Sequence, residues 1–226
     1  MAVCFLYAAV WGIPAVGQST KDEFWPELGI YVQQGPLVRF EFVAAASSDP
    51  SPHHWQGDFT LYAQVALKPV FRRELHDRPD VYRNKYLTFR SGFRYRSSLT
   101  NGDFGSEKRG IVELTPRYLL PWQMVISDRN RGEFRFIKGQ SFSTRYRNRL
   151  RLERDFKHGW LDCTPYVYDE IFFDTQYDRW TPNRYAFGLE FPIGSRVVLE
   201  PYYLRQNSRS DAPDLNVFGF KLNLYL

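Results

Sequence analysis

Most of the features that mark an enzyme, a disulfide scaffold or a helical membrane protein are scarce in these 226 residues. There are two cysteines, Cys4 and Cys163. That inventory excludes a disulfide framework and any cysteine-based zinc spacing. If Cys4 lies in a removable leader, Cys163 is the single thiol of the mature chain, read as a small apolar filler. The four histidines are His53, His54, His76 and His158, and the chain has no Gly-x-Ser-x-Gly elbow. A Ser–His–acid site needs those groups to converge near one rim, so the chain reads as a non-enzyme with no catalytic residues. His53-His54 and the carboxylates Asp169, Glu170, Asp174 and Asp178 form separate groups without ligand spacing and read as solvated loops, with no metal or cofactor implied.

Past the first twenty residues no apolar run approaches the eighteen or so that a spanning helix requires, and mean hydropathy is −0.47. A helical membrane protein is thereby excluded, although a strand-built one is not. Lys+Arg number 30 against 25 Asp+Glu, for a net charge of +5 and a pI near 9.2. The arginines alternate with apolar residues instead of forming one basic block, which argues against nucleic acid as a partner.

What the chain has in quantity is aromatics, 18% of all residues, and aromatics favour strands and membrane–water interfaces. Val3 to Pro14 is an apolar segment of leader length, followed by small residues at Ala15 and Gly17. The pattern predicts a signal peptide over 1–17 and a barrel domain over 18–226, although no Lys or Arg precedes the apolar run.

From Trp25 onward apolar residues recur at every second position. Phe59, Leu61, Ala63, Val65 and Leu67 share one face; so do Phe218, Phe220, Leu222, Leu224 and Leu226, against Gly219, Lys221, Asn223 and Tyr225. A period of two puts alternate side chains on opposite faces of a strand. About eleven such segments can be marked: 25–33, 37–46, 57–68, 84–98, 109–120, 122–137, 143–155, 159–172, 181–192, 196–206 and 215–226. Bacterial single-chain barrels have even strand numbers. The expectation is therefore an all-β fold, a single antiparallel up-and-down transmembrane β-barrel of about twelve strands, with ten the alternative. Short links at 120–122, 157–159 and 192–195 alternate with longer ones at 98–108, 173–180 and 207–214, while the 69–83 link is long where a short one is due.

The orientation of the wall follows from Ser127 to Asp155. Arg129, Arg131, Glu133 and Arg135 alternate along one segment, and Arg145, Arg147, Arg149, Arg151 and Glu153 along the next. On a lipid-facing surface each arginine near the midplane costs roughly 2–4 kcal/mol, and together they would exceed the roughly 5–15 kcal/mol that stabilises an ordinary domain. In a membrane barrel these nine residues must therefore line the lumen. Seven Arg over two Glu predicts a positive interior, either a narrow anion-preferring pore taking small anionic solutes or a plug of ion pairs. Trp25, Trp122, Trp160 and Trp180 fall near strand ends, where interfacial girdles sit. Asp128, Asn130 and Asn148 point the other way by simple alternation, so a bulge or a rim position is expected there. Outer-membrane lipid and lipopolysaccharide are the expected surroundings, in the bacterial outer membrane. Two readings compete: a soluble periplasmic lipocalin-like ligand-binding barrel, which reverses the two faces, and an outer-membrane lipid-modifying enzyme.

The phrases Asp128-Arg-Asn-Arg-Gly-Glu-Phe-Arg135, Tyr146-Arg-Asn-Arg-Leu-Arg-Leu-Glu-Arg154, Tyr166-Val-Tyr-Asp-Glu-Ile-Phe-Phe-Asp174 and Asn183-Arg-Tyr-Ala-Phe-Gly188 resemble the bacterial family catalogued as domain of unknown function 2490 over roughly residues 85–226. The resemblance implies an outer-membrane barrel without an assigned activity, and it brings no catalytic residues. The dense Arg145–Arg151 ladder and the terminal Leu226 depart from that family's usual pattern.

Overall fold

The computed structural model describes residues 20–49, 54–67, 79–99, 106–176, 179–208 and 213–226. The leader expected over 1–17, with Cys4, and also His53, His76 and Asp178 lie outside the described residues. Twelve strands run in chain order: β1 Thr20–Gln34, β2 Val38–Asp49, β3 His54–Ala66, β4 Leu87–Ser98, β5 Glu107–Leu120, β6 Met124–Ile137, β7 Ser143–Arg154, β8 Phe156–His158, β9 Leu161–Asp174, β10 Arg179–Ile193, β11 Val197–Gln206 and β12 Asp214–Tyr225. Among the described residues no helix is long and apolar enough to cross a membrane.

Eleven of the strands close into one barrel, in the order β1 to β7, then β9 to β12, and back to β1. They coincide with the eleven alternating segments of the sequence. The twelfth, β8, is a three-residue strand paired to the start of β9, outside the ring. Neighbours are antiparallel except at the seam, where β1 and β12 run parallel from Thr20↔Asp214 to Tyr31↔Tyr225. Parity forces this: strands that alternate in direction around an odd ring leave the first and last pointing the same way. The terminal residue helps seal the seam, since the Leu226 N–H donates to the Tyr31 carbonyl (2.8 Å) and its own carbonyl accepts from Gln33 (3.0 Å).

Tight links at 35–37, 121–123 and 194–196 lie at one end of the barrel, here called the turn end; Gly35 and Gly194 provide the positive φ that two of them need (+72° and +64°). The C-terminal ends of β2, β4, β6, β9 and β11 lie at the opposite end, here called the loop end. The long link between β3 and β4 also belongs to the turn end, and its described part turns back into the barrel mouth. There a single 3₁₀ turn, Val81–Asn84, buries Tyr82 completely. We call residues 79–86 the strap.

The period of two resolves into two unlike faces. Outside stand Phe40, Phe59, Leu61, Phe89, Phe93, Leu114, Phe134, Phe187 and Phe218, all exposed; inside stand Arg39, Glu41, Thr60, Gln64, Arg109, Glu113, Arg131 and Glu133, all buried. Against β9 to β12 the interior also holds aromatic and aliphatic side chains: Tyr166, Tyr168, Ala186, Leu204 and Val217 pack together with Trp25 and Tyr202, beside the buried Glu200 and its partner Lys221 (3.1 Å). Trp25 thus points inward and does not join a girdle. Trp122 and Trp160 are exposed at the turn end, and Trp180 packs at the loop end against Phe173 (ring centroids 5.4 Å apart).

Three inward tyrosines lie flat over inward glycines on the next strand, Tyr62 over Gly92, Tyr166 over Gly188 and Tyr202 over Gly219. A Cβ at Gly219 would lie 1.9 Å from the Tyr202 ring. Each glycine leaves the space its tyrosine fills, which tilts the ring along the wall and binds the two strands together. Gly219→Val should therefore destabilise the barrel by about 1–3 kcal/mol through overpacking. Urea unfolding should show the loss, and Gly132→Val, whose new Cβ meets only Val112 at 3.4 Å, should show much less.

Candidate functional site: an ion-paired interior

Strands β6 and β7 pair without a register break, so alternation along each puts Arg129, Arg131, Glu133, Arg135, Arg145, Arg147, Arg149, Arg151 and Glu153 on the inner face. Pairing also sets like charges directly opposite each other, Arg129↔Arg149 and Arg131↔Arg147. Like charges so placed repel. Relief comes from carboxylates on other strands. From β5, Glu113 meets Arg90 (2.8 Å) and Arg131 (2.8 Å), with Arg129 at 3.9 Å. On β6 itself Glu133 meets Arg147 (3.0 Å), Arg109 (3.3 Å) and Arg131 (3.6 Å). From β9, Glu170 takes Arg147 (2.9 Å), Arg149 (3.2 Å) and Arg129. Towards the loop end Asp174 holds Arg145 (2.6 Å) and Arg135 (2.9 Å), and Arg135 also reaches Glu107 (2.6 Å).

A second kind of contact runs beside the ion pairs. The next inward column, on β9, is aromatic, and the arginines of β7 lie across it: Arg149 over Tyr168 (4.0 Å to the ring centroid), Arg151 over Tyr166 (3.8 Å) and Arg147 over Phe172 (4.9 Å). A planar guanidinium can spend its edge on carboxylates and its face on a ring at once, which a lysine ammonium cannot do equally well. The choice of arginine along this ladder follows from that geometry.

At the turn end the strap reaches across the mouth. Arg83 pairs with Glu153 (2.7 Å), Asp155 (3.1 Å) and Glu190 (3.8 Å) on one side. Asp80 pairs with Arg39 of β2 (2.6 Å) on the other, and Arg39 lies over the Tyr82 ring (4.3 Å). The cavity left beside Asp80, Arg83, Thr164 and Glu190 is about 10 Å³, room for about one water. Burial pushes the Asp80 carboxyl up, but the Arg39 guanidinium more than reverses this and holds it below the usual carboxylate range.

The seven-to-two arginine excess that the sequence displays on β6 and β7 is therefore largely offset by acids on neighbouring walls. Glu170 and Asp174, read from sequence as loop carboxylates, lie on β9 and are completely buried beneath arginines. The same alternation that marked the arginines would have found them, because Tyr166, Tyr168, Glu170, Phe172 and Asp174 occupy one face. Glu107 and Glu113 alternate with Arg109 on β5 in the same way. Asp80 and Arg83 carry no periodic signal. Asp128, Asn130 and Asn148 do face outward, at mid-wall, with neither a bulge nor a rim to account for them. Among the described residues no group of His, Cys, Asp and Glu could hold a metal ion.

A family model described as "Protein of unknown function (DUF2490)" matches residues 55–217, well over half of the chain. No curated protein and no solved structure matches it.

Glu170→Gln should leave Arg129, Arg147 and Arg149 competing for the remaining acids and cost about 3–5 kcal/mol, the scale of breaking a buried ion pair; thermal unfolding measures it. Asp80 predicts a pH effect. A carboxyl held low stabilises above its unfolded value near 3.9 and loses that contribution as pH falls through the lower folded value. The Tyr82 N–H, which donates to Asp80 (3.0 Å), should lose hydrogen-exchange protection in that acid range, and Asp80→Ala should lose it already at neutral pH.

Proposed function

The chain belongs to the DUF2490 family, and from an apolar exterior around a charged interior we propose that it is a bacterial outer-membrane β-barrel kept shut by its own side chains. The family carries no assigned activity, so the reading rests on one observation: the faces of the wall are inverted relative to a water-soluble barrel. A soluble ligand-binding barrel needs apolar walls around a cavity and polar groups outside. Here ion pairs and a cluster of aromatic side chains fill the inside, while phenylalanines and leucines cover the outside in strands of 10 to 15 residues. A tilted spanning strand needs about 9–11. On this reading the exterior meets outer-membrane lipid and lipopolysaccharide, and the barrel carries out no catalytic step.

One observation favours a positive bias in any opened state. Arg94, Arg117 and Arg184 lie on the inner face, bonded to Thr60, Thr88 and Gln206, with no carboxylate in ion-pair reach among the described residues. An interior loosened around them would favour anions over cations, which retains the anion-preferring pore as the second reading.

Two experiments test these readings. Leu61, 60% exposed at the middle of β3, should tolerate arginine in a soluble barrel; in bilayer, Leu61→Arg should cost roughly 2–4 kcal/mol and reduce insertion into lipid vesicles. Unimpaired insertion, or recovery of the wild-type chain in the soluble fraction without detergent, removes the proposal. In planar bilayers the wild type should be silent, and Arg147→Ala with Arg149→Ala should raise conductance with a preference for chloride over potassium. Cation preference would reject the anion reading.

A further inference from the structure

Within the belt of apolar side chains that the membrane reading assigns to lipid, one group of three polar side chains is out of place at mid-wall. Asp128 and Asn130 on β6 and Asn148 on β7 face outward, and Asn130 lies at the midpoint of its strand. At comparable positions on other strands the outward residues are Leu61, Phe89, Phe187 and Phe220. Polar and ionisable groups at that depth are costly against hydrocarbon and ordinarily face protein.

The group is organised. Asn148 Nδ2 donates to Asp128 Oδ1 (2.5 Å) and to Asn130 Oδ1 (3.1 Å), the Tyr146 hydroxyl donates to Asn130 Oδ1 (2.5 Å), and Asn130 Nδ2 donates to the Asp128 carbonyl (3.3 Å). These bonds fix the side chains on the outer face and leave hydrogen-bonding capacity of both kinds unused among the described residues. Asp128 Oδ2 and Asn148 Oδ1 remain as acceptors, and the second N–H of Asn130 remains as a donor. The outward carboxylate on β9, Asp169, is already bonded to Asn183 (3.1 Å). Next to the cluster Gly110 and Gly132 project no side chain, so the wall is flat between Val112, Leu114 and Tyr146. Small residues that allow close approach, combined with amide hydrogen bonds, are what holds membrane segments together where hydrophobicity gives no drive.

We propose that the outer face of β5 to β7 around Asp128, Asn130 and Asn148 is the contact between two copies of this chain, arranged about a two-fold axis in the membrane. The proposal rests on the membrane reading above. A second copy fits because the patch complements itself: under two-fold symmetry the spare Asn130 N–H of each copy meets the spare Asp128 or Asn148 oxygen of the other. An isologous interface requires that every donor have its acceptor on the same patch. A lipid tail supplies neither donor nor acceptor. A cationic partner would answer Asp128 alone and leave the amides unpaired.

The test uses the full chain in native membranes and in mild detergent. In a Cys4→Ser background the Leu150→Cys variant, one strand across from Asp128, should crosslink to a species of twice the chain mass with a bis-maleimide, while the Cys4→Ser parent, whose Cys163 is buried, should not. In sedimentation equilibrium the wild type should have the mass of two chains. Asp128→Leu with Asn148→Leu should weaken association by roughly tenfold or more, the worth of a few hydrogen bonds in lipid. That variant should retain the heat-modifiable gel mobility of a folded barrel, since both side chains lie outside the wall. A wild type that sediments as one chain, a Leu/Leu variant that pairs as well as wild type, or a Leu150→Cys product of some other mass each overturns the proposal while leaving the membrane reading in place. Recovery of the wild type in the soluble fraction overturns both.

Discussion

Arginines set directly opposite one another on paired strands are the constraint that organises this protein. Arg129 faces Arg149 and Arg131 faces Arg147 across β6 and β7, an arrangement that an isolated hairpin would resist. It becomes stable only when Glu113 from β5 and Glu170 from β9 reach the same space. Those strands flank the pair on opposite sides, so the charges are balanced only when at least four adjacent strands are in place. Glu113, Glu133 and Glu170 each serve several guanidinium groups. The interior therefore behaves as one network, in which losing a single carboxylate leaves several cations exposed to each other.

The rest of the architecture is consistent with that interior. The aromatic column of β9 gives the arginines of β7 a surface to lie on, which links the charged side of the barrel to the aromatic side around Tyr166, Tyr168 and Leu204. The strap closes the turn end with the same chemistry, Arg83 against Glu153 and Asp155, Asp80 against Arg39. The tyrosine–glycine pairs Tyr166–Gly188 and Tyr202–Gly219 bind neighbouring strands beside the Glu200–Lys221 ion pair. A barrel filled in this way carries its apolar side chains on the outer face. The outward cluster at Asp128, Asn130 and Asn148 interrupts that apolar exterior at mid-wall.

The wall itself was legible in the sequence because each strand obeys one local rule. Phe59 to Leu67 and Phe218 to Leu226 show the period of two without help from distant residues, and the eleven alternating segments match the eleven strands that close. The even-number rule asks for one more. The extra strand, β8, lies outside the ring, and the parallel pairing of β1 with β12 accommodates the odd count. The inward direction of Arg129 to Arg151 also followed from a local comparison of energies. Trp25 shows the limit of such reasoning: nearness to a strand end suggested an interface, yet its parity on β1 turns it into the interior.

The sequence by itself determined the alternation, and with it the strand positions and the partition of side chains into two faces, because a strand's side-chain direction depends only on its own residue count. Only the tertiary structure decided what each face meets within the molecule. Whether Arg147 lines open water or is held by Glu133, Glu170 and Phe172 depends on strands distant in sequence and on the register that aligns them. The strap belongs to that second category too: nothing periodic in Asp80 to Lys85 announces that its charges fit Arg39 and Glu153, since those partners become neighbours only after the barrel has closed.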